Sequence, residues 1–291
     1  MSKAKLALLS VAALILGLVM GFAASTVEYR LSVIDAPLAV DIEGEFGATV
    51  VASVSGHANF LDGDELVEPV VTRDNAGSGR TVEEDAQVFA QVSTFHLDVT
   101  GRANLTGEYQ IVGSATKDTL GDDAGYVLGE AEGSRIVAIE PESERAATIR
   151  VIDIMPTVLP GAHDATEASG ALPSISIGDD GIPTVVSGGG DVNAFVQADI
   201  ITGTGEQIRS GDQPIINYLL IATDGTVVEN TWNSPQPTVL SVDDVFQGLN
   251  TALIDTRIGS RLVLAVPAGQ AQGDTDVALV IDVLGKYSAE K

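Results

Sequence analysis

The sequence contains no cysteine and few basic or aromatic residues. Without cysteine the chain can form no disulfide framework, thiolate metal site, thiol nucleophile or cysteine-linked lipid anchor. Its 291 residues carry 15 Lys and Arg against 41 Asp and Glu, which gives a net charge of −26. A phosphate backbone would repel so acidic a chain, so the composition argues against nucleic acid as a partner.

Aromatic side chains make up only 4% of the residues, although hydrophobic residues make up 45%. That apolar content is enough to bury a core and excludes a chain that is disordered throughout. The 31 glycines and 11 prolines, together with frequent Val, Ile and Thr, favour β structure. At roughly 100–200 residues per domain, the length predicts two domains.

A long uncharged run lies at the N-terminus, where Lys3 and Lys5 precede 19 residues, 6–24, that carry no charge. A basic start, an apolar core and small residues near position 24 are typical of an export signal peptide. The length also suits a hydrophobic helix that stays in the membrane as an anchor. Residues 1–25 are therefore a signal peptide or a signal anchor. Both alternatives place the rest of the chain outside the cytoplasm, secreted or anchored to the cell membrane by residues 6–24.

An internal repeat divides the remaining chain. Gly133-Ser134-Arg135 and Gly259-Ser260-Arg261 each begin an apolar run that ends in proline, and they lie 126 residues apart. Three further pairs of segments match in the same order at nearly the same spacing: 77–80 with 203–206, 84–89 with 211–216, and 149–154 with 279–284. A period this long predicts two homologous domains that each have their own core. We place them at residues 30–156 and 196–291, joined by a linker at 157–195 in which residues 174–177 alternate like a strand.

The second repeat has the clearest secondary-structure signals. Three apolar runs predict strands: residues 215–221, 261–266 and 277–284. Residues 241–253 predict the one helix, with Ser241 as its N-cap and with Val245, Leu249 and Ala252 on one face. Strands with a single crossing helix predict an α+β fold that is mainly antiparallel.

An ordered set of residues in the second repeat carries a family resemblance: Gly211-Asp212, Tyr218, Asp224-Gly225, Trp232, Val245 to Leu249, Gly259-Ser260-Arg261, Pro267 and Val280 to Leu284. With this set, residues 196–285 resemble the FKBP-type peptidyl-prolyl cis-trans isomerases, especially tandem exported versions from Gram-positive bacteria. The first repeat (the first unit) is included in this resemblance because its sequence is similar to that of the second repeat (the second unit). The resemblance implies two tandem FKBP-like domains, each a twisted antiparallel sheet wrapped on one helix.

The resemblance also implies a proline pocket in the second unit. Tyr218 corresponds to an aromatic wall of that pocket, and Val245 and Phe246 correspond to the pair whose backbone binds the substrate peptide. The remaining pocket positions are Val228, Glu229, Leu249 and Leu279. All of these except Glu229 stand where the family has large aromatic side chains, which leaves a looser site. In the first unit Gln91 aligns with Tyr218, and little of the pocket pattern remains.

The implied function is that of an extracytoplasmic peptidyl-prolyl isomerase or foldase that acts on X-Pro bonds of proline-containing exported polypeptides. It needs no cofactor, and the three histidines show no spacing typical of metal ligands. Membrane contact is expected only through the N-terminal segment. Because pocket aromatics are missing, the alternative is a catalytically weak or inactive FKBP-like binding or chaperone module at the cell surface. A structural β-rich surface protein is a third alternative.

Overall fold

The computed structural model describes residues 25–28, 38–159 and 170–287. The predicted signal or anchor at residues 6–24 lies outside these ranges. Among the described residues, no helix is both long enough and apolar enough to cross a membrane.

The first half of the described chain consists of strands and short helical turns. Its elements are β1 (Ser25–Glu28), β2 (Ala39–Glu43), β3 (Val51–Ser55), β4 (Leu61–Asp62), β5 (Glu65–Leu66), β6 (Val70–Asn75), β7 (Gln87–Leu97), β8 (Ala103–Ser114), α1 (Lys117–Leu120), α2 (Ala124–Val127), β9 (Arg135–Pro141) and β10 (Ala147–Ile154). Strands β1, β2 and β3 pair in that order, and β4 pairs with β5. We call β2 and β3 the first hairpin. The first sheet has the strand order β6-β9-β10-β7-β8.

The second half repeats this arrangement. Its elements are β11 (Ser174–Ile177), β12 (Pro183–Ser187), β13 (Val196–Ile201), β14 (Pro214–Ala222), β15 (Val227–Asn230), β16 (Thr238–Val239), α3 (Gln247–Leu253), β17 (Arg261–Val266) and β18 (Val277–Lys286). Strands β11 and β12 form the second hairpin. The second sheet has the order β13-β17-β18-β14-β15, and β16 also pairs with β14. Every named pairing in both sheets is antiparallel, so the fold is α+β with few helices.

The five strands of the first sheet have counterparts in the same order in the second sheet, and equivalent hydrogen bonds recur. Gly79 N donates to Glu132 O at 3.0 Å, and Gly205 N donates to Ile258 O at 3.0 Å, with both residues of the second pair 126 positions later. The residue pairs β10–β7 and β18–β14 place Gln91 opposite Asp153 and Asn217 opposite Asp282. The tandem repeat of the sequence is therefore also a repeat of the sheet. We refer to the first and second sheets with their helices as the first and second units.

The strand register corrects one alignment made from the sequence. Because Gln91 and Asn217 occupy equivalent positions, Val92 rather than Gln91 is the counterpart of Tyr218. The sequence alignment was wrong by one residue. Strands β7 and β14 are largely buried on both faces, so they lack the polar alternation that would fix a register.

Each sheet is covered by helix on one face and by a hairpin on the other. In the second unit, Leu249 and Leu253 of α3 pack on Leu264 and Ile281, and Ile175 of the second hairpin packs on the opposite face. The first unit repeats this with α1 and α2 on one face and the first hairpin on the other. This sandwiching explains why all six residues of β17 are buried.

The helices are shorter than the sequence predicts. In the second unit Val242–Asp244 is a 3-10 turn, and α3 begins only at Gln247. Val245 has φ −89° and ψ 164°, an extended conformation that ends the turn, and Ser241 makes no side-chain capping bond. In the first unit the single expected helix is two four-residue helices joined by a 3-10 turn at Gly121–Asp123.

The range 157–195, predicted as a linker, contains the second hairpin. Ile175 is fully buried, and Leu172 and Val192 join the same apolar cluster. The strand expected at residues 174–177 is present and has β12 as its partner. The domain boundaries themselves stay a prediction, but this segment contributes a hairpin to the core.

A buried ion pair ties each hairpin to its sheet. Arg135 donates from Nε and Nη2 to the two carboxylate oxygens of Asp153 at 2.6 and 2.7 Å, and Arg261 donates to Asp282 at 2.6 and 2.7 Å. Arg135 also donates to the carbonyls of Gly44 and Glu45 in the first hairpin's turn. Arg261 donates to Gly181 O in the second hairpin's turn at 3.0 Å. Burial raises the pKa of Asp282 against the opposing effect of Arg261.

The two units meet through equivalent strands. Phe89 of β7 and Ile215 of β14 lie in one apolar cluster with Leu159 and Leu284. A Cβ atom on Gly285 would lie 2.6 Å from the Phe89 ring, so glycine permits this close approach. Beside the cluster, Asn217 Nδ2 donates to Gln87 Oε1 at 2.8 Å. Both of these amide side chains are buried at the contact between the units.

Candidate functional site

The predicted pocket residues lie mostly on the helix-facing side of the second sheet. Tyr218 on β14 is opposite Ile281, and Leu220 is opposite Leu279 on β18. Because side chains alternate along a strand, Tyr218 and Leu220 share this face. Leu249 reaches the same apolar cluster from α3. Leu249 and Leu279 are only 5% and 2% exposed, so they form the floor of this cluster.

Val245 and Phe246 lie where the chain enters α3. Both are half-buried against the cluster, and both have extended backbones, with Phe246 at φ −63° and ψ 155°. Asn250 fixes this entry by donating its side-chain amide to Val242 O at 2.9 Å and its backbone N–H to Phe246 O at 3.0 Å. The helix thus presents an extended two-residue segment at the edge of the cluster.

Tyr218 and Glu229 are brought together at the rim of the cluster. Burial, the hydrogen bond to the Glu229 carboxylate and the charge of that carboxylate raise the pKa of Tyr218 to about 12. The backbone N–H of Tyr218 donates to Thr231 Oγ1 at 2.7 Å, which ties β14 to the turn after β15. The phenol is therefore protonated at neutral pH, with its hydroxyl directed to an exposed carboxylate.

One predicted pocket residue, Val228, and one residue of the family motif, Trp232, lie away from this face. Val228 is 61% exposed and does not join the cluster. It falls at an irregularity where β14 pairs with β15, between the partners of Leu220 and Ile221. Trp232 is buried in the cluster on the hairpin-facing side. The structure therefore brings Tyr218, Val245, Phe246, Leu249 and Leu279 together, adds Glu229 through Tyr218, and leaves Val228 outside.

The first unit has different chemistry at the equivalent positions. Helix α2, residues 124–127, corresponds to residues 250–253 of α3 at the repeat spacing of 126. Asp123 is therefore the counterpart of Leu249. The pairing of β10 with β7 corresponds to that of β18 with β14, which makes Arg150 the counterpart of Leu279, 129 residues later. Arg150 Nη1 donates to Asp123 Oδ1 at 3.2 Å. The two leucines of the second unit are thus replaced by an ion pair.

A hydrogen-bonded network extends from this ion pair. Tyr109 donates its hydroxyl to Asp123 Oδ2. Arg150 Nε donates to Glu140 Oε1 at 2.9 Å, and the Tyr126 hydroxyl donates to the same oxygen at 2.8 Å. Burial is the main cause that raises the pKa of Asp123, against the effects of Tyr109 and Arg150. Burial, followed by the Glu140 hydrogen bond, raises the pKa of Tyr126 to about 12.

This network borders a cavity of about 370 Å³ between β8 and the helical segment after it. Its lining includes Tyr109, Ile111, Leu120, Asp122, Asp123 and Arg150. The sequence analysis did not predict this site, because the first unit keeps little of the family's pocket pattern. The available signal was Arg150, a single charge within the apolar run 149–152 of a strand buried on both faces. Among the described residues, no group of His, Cys, Asp and Glu could hold a metal ion.

Comparisons with known proteins give matches only among solved structures. No family model and no curated protein matches the sequence. A peptidyl-prolyl cis-trans isomerase from Pseudomonas syringae pv. tomato is 20% identical over 33% of this chain and 78% of its own, with a TM-score of 0.30. FkpA from Escherichia coli is 19% identical over 34% of this chain, with a TM-score of 0.32, and this chain spans about half (51%) of its length. The three FKBP domains of wheat FKBP73 are 12% identical over 75% of this chain and 94% of their own, with a TM-score of 0.30. Matches at these identities and TM-scores do not assign a function to this chain.

Proposed function

We propose that the second unit is an FKBP-type peptidyl-prolyl cis-trans isomerase that acts as a foldase on proline-containing exported polypeptides. The observation that carries this proposal is the convergence of five predicted pocket residues on one apolar face between β14, β18 and α3. These residues are Tyr218, Val245, Phe246, Leu249 and Leu279. The family resemblance of residues 196–285 implies the same grouping.

The reaction needs an apolar, shaped surface rather than a reactive group. Rotation about a peptide bond has a barrier of roughly 18–20 kcal/mol because resonance gives the C–N bond partial double-bond character. For X-Pro bonds the two isomers lie within about 1 kcal/mol of each other, yet they exchange over tens of seconds or longer. A site that binds the twisted conformer more tightly than either planar isomer lowers this barrier. No nucleophile, metal or cofactor takes part.

The residues of the second unit have distinct roles in such a site. Leu249 and Leu279 form a buried apolar layer beneath the half-buried Phe246, whose accessible face is the surface on which a proline ring would lose its water. Val245 and Phe246 present extended backbone beside it, suited to holding an extended substrate segment. The protonated Tyr218 hydroxyl, held by Glu229, provides a wall with a polar tip.

The decisive experiment measures cis-trans isomerisation of a proline tetrapeptide in the presence of the full chain. We expect acceleration above the uncatalysed rate, and we expect Phe246→Ala to lose most of it. Val186→Ala is the matched control, because Val186 is 63% exposed on the second hairpin and so lies away from the cluster. Circular dichroism must show that each variant is folded. A folded chain that gives only the background rate would disprove the catalytic proposal.

A binding or chaperone module without catalysis is the second candidate function. The near-complete burial of Leu249 and Leu279 favours it. These two leucines replace the family's larger aromatics, and because they are already packed in the core they leave little room for a proline ring to enter. The two functions differ in one pair of measurements on the same sample. A binding module retains proline peptides, or a macrolide, without accelerating isomerisation, whereas an isomerase does both.

We further propose that the protein acts outside the cytoplasm, with the membrane contacted only by residues 6–24. The motivating observation is the uncharged run after Lys3 and Lys5. Protease is added to cells whose outer layers have been removed but whose cell membrane is intact, and it should digest the two units. Protection of the chain until the membrane is lysed would overturn this location.

A further inference from the structure

We propose that the cavity of the first unit binds the side chain of a lysine or arginine in a polypeptide partner. This site is separate from the proline site of the second unit, and the proposal does not depend on isomerase activity. It rests on the position, the charge and the lining of the cavity.

The cavity occupies the position that corresponds to the candidate site of the second unit. Asp123 and Arg150 stand at its floor where Leu249 and Leu279 stand in the second unit. The same scaffold therefore carries an apolar cluster in one unit and a charged cavity in the other. A volume of about 370 Å³ falls within the range of ligand pockets, roughly 300–1,000 Å³.

The charges of the cavity favour a cation. Its lining has three carboxylates, Asp118, Asp122 and Asp123, against the single cation Arg150. The side chain of Asp122 is 93% exposed, and its carboxylate lies 4.0 Å from Arg150 Nη2. A cationic group entering the cavity would meet the carboxylates of Asp118 and Asp122 at the mouth.

The arginine of the floor does not provide a site for an anion. Arg150 Nε already donates to Glu140, and Nη1 donates to Asp123. An anionic ligand would compete with these carboxylates for the same guanidinium and would be repelled by Asp118 and Asp122. Arg150 instead compensates the buried charge of Asp123, which leaves the exposed carboxylates as the acceptors for a ligand.

The walls of the cavity suit the aliphatic part of a basic side chain. Ile111 and Leu120 contribute apolar surface, and Tyr109 contributes a half-buried ring. Lysine and arginine side chains bury their methylene groups against apolar surface while the charged end stays with polar partners. With a net charge of −26, the protein as a whole also attracts basic polypeptides.

The test compares two labelled pentapeptides, Ala-Ala-Arg-Ala-Ala and Ala-Ala-Cit-Ala-Ala, both with blocked ends, by fluorescence anisotropy with the full chain. Citrulline keeps the shape of arginine but lacks its charge. We expect the arginine peptide to bind about tenfold more tightly at low salt and to weaken as salt is added. Equal affinity for the two peptides would overturn the proposal.

The repeat supplies a matched pair of variants. Asp118→Asn with Asp122→Asn removes two charges at the cavity, and Asp243→Asn with Asp244→Asn removes two charges from the corresponding turn of the second unit. Asp244 follows Asp118 by 126 residues, and all four residues are exposed. Only the first variant should lose the preference for arginine, by about tenfold. An equal loss in both variants would show that net charge alone attracts the peptide, and the cavity site would be disproved.

Discussion

The two faces of the repeated sheet differ in how far the two copies have diverged. On the hairpin-facing side, Arg135 with Asp153 and Arg261 with Asp282 form buried pairs of the same geometry, at 2.6 and 2.7 Å. On the helix-facing side, an apolar floor in one unit is a charged network in the other. The hairpin-facing side is therefore the same in both units, whereas the helix-facing side carries the chemistry that distinguishes them.

Burial explains this difference between the faces. The Arg261 and Asp282 side chains are fully buried, so either charge without the other would be uncompensated in a medium of low polarity. Such a position tolerates only the complete pair or an apolar replacement of both members. Arg150 is 17% exposed and borders an open cavity. Water reaches that side chain, so the helix-facing floor can be apolar in one unit and charged in the other.

The largest expected effect comes from breaking the shared feature. Arg261→Met leaves Asp282 buried without its cation and releases the carbonyl of Gly181. We expect a loss of about 3–5 kcal/mol in the free energy of unfolding, measured by chemical denaturation. Arg135→Met should cost a similar amount, since Arg135 contacts Asp153 at the same two distances, 2.6 and 2.7 Å.

The control for this prediction replaces both partners. Arg261→Met with Asp282→Leu removes the pair without leaving a buried charge, and such replacements are often neutral or stabilising. We expect the double variant to recover most of the lost stability. If the double variant were as unstable as Arg261→Met, the hairpin contact rather than the charge would be the source of the loss.

The second prediction concerns the floor that distinguishes the two units. Leu249→Ala removes a buried side chain from the helix-facing cluster and should cost about 2–5 kcal/mol in the free energy of unfolding. Leu66→Ala is the control, because Leu66 is 47% exposed on β5 and should change stability by no more than about 0.5 kcal/mol. A loss as small as that of the control would mean that Leu249 lines an open pocket and does not support the core.

The sequence predicted the repeat, the antiparallel strands of the second unit and most of the residues that meet on its helix-facing side. The repeat and the strands depend on apolar runs and on glycine and arginine positions that are local in sequence, whereas the site residues were implied by the family resemblance. The register error at Gln91 arose because strands buried on both faces show no alternation. Val228 was misplaced because an irregularity in strand pairing cannot be read from residue types.

The packing of the second hairpin on its sheet and the charged cavity were not predicted from the sequence for a different reason. The second hairpin lies in a segment rich in proline and glycine, and its role depends on packing against β17 and β18, far along the chain. The cavity depends on Arg150 meeting Asp123 across 27 residues. Long-range pairings of this kind leave little local pattern in the sequence. Only the strand register shows that these residues meet.

The contact between the units offers a smaller effect. Gln87→Ala removes the amide that accepts from Asn217 Nδ2 and donates to Thr231 O and Ser234 O. Asn217 Nδ2 keeps its bond to Thr157 O, and Thr231 O keeps the Ser234 N–H, so the variant loses hydrogen bonds without leaving these two groups unsatisfied. We expect a loss of about 1–3 kcal/mol in the free energy of unfolding, since each lost bond contributes about 0.5–1.5 kcal/mol. Gln197→Ala, at an exposed glutamine of β13, should be nearly neutral. A neutral result for Gln87→Ala would show that the two units do not stabilise each other through this contact.

The smallest expected effect concerns the tyrosine–glutamate pairs of the two units. These are Tyr126 with Glu140 and Tyr218 with Glu229. Each tyrosine has a pKa raised to about 12, first by burial and then by its carboxylate partner. Because the folded pKa exceeds the unfolded value of about 10, this contribution to stability is complete below pH 10 and is lost as the pH rises through the folded pKa.

Glu229→Gln removes the charge beside Tyr218 but leaves its burial, so the pKa of Tyr218 should fall while staying above its ordinary value. The measurement is an alkaline titration of phenolate absorbance, with Tyr218→Phe identifying the contribution of Tyr218. The pKa of Tyr126 should not move, because its partner is in the other unit. An unchanged pKa for Tyr218 would show that burial alone raises it, and Glu229 would then have no part in orienting the rim of the proposed proline site.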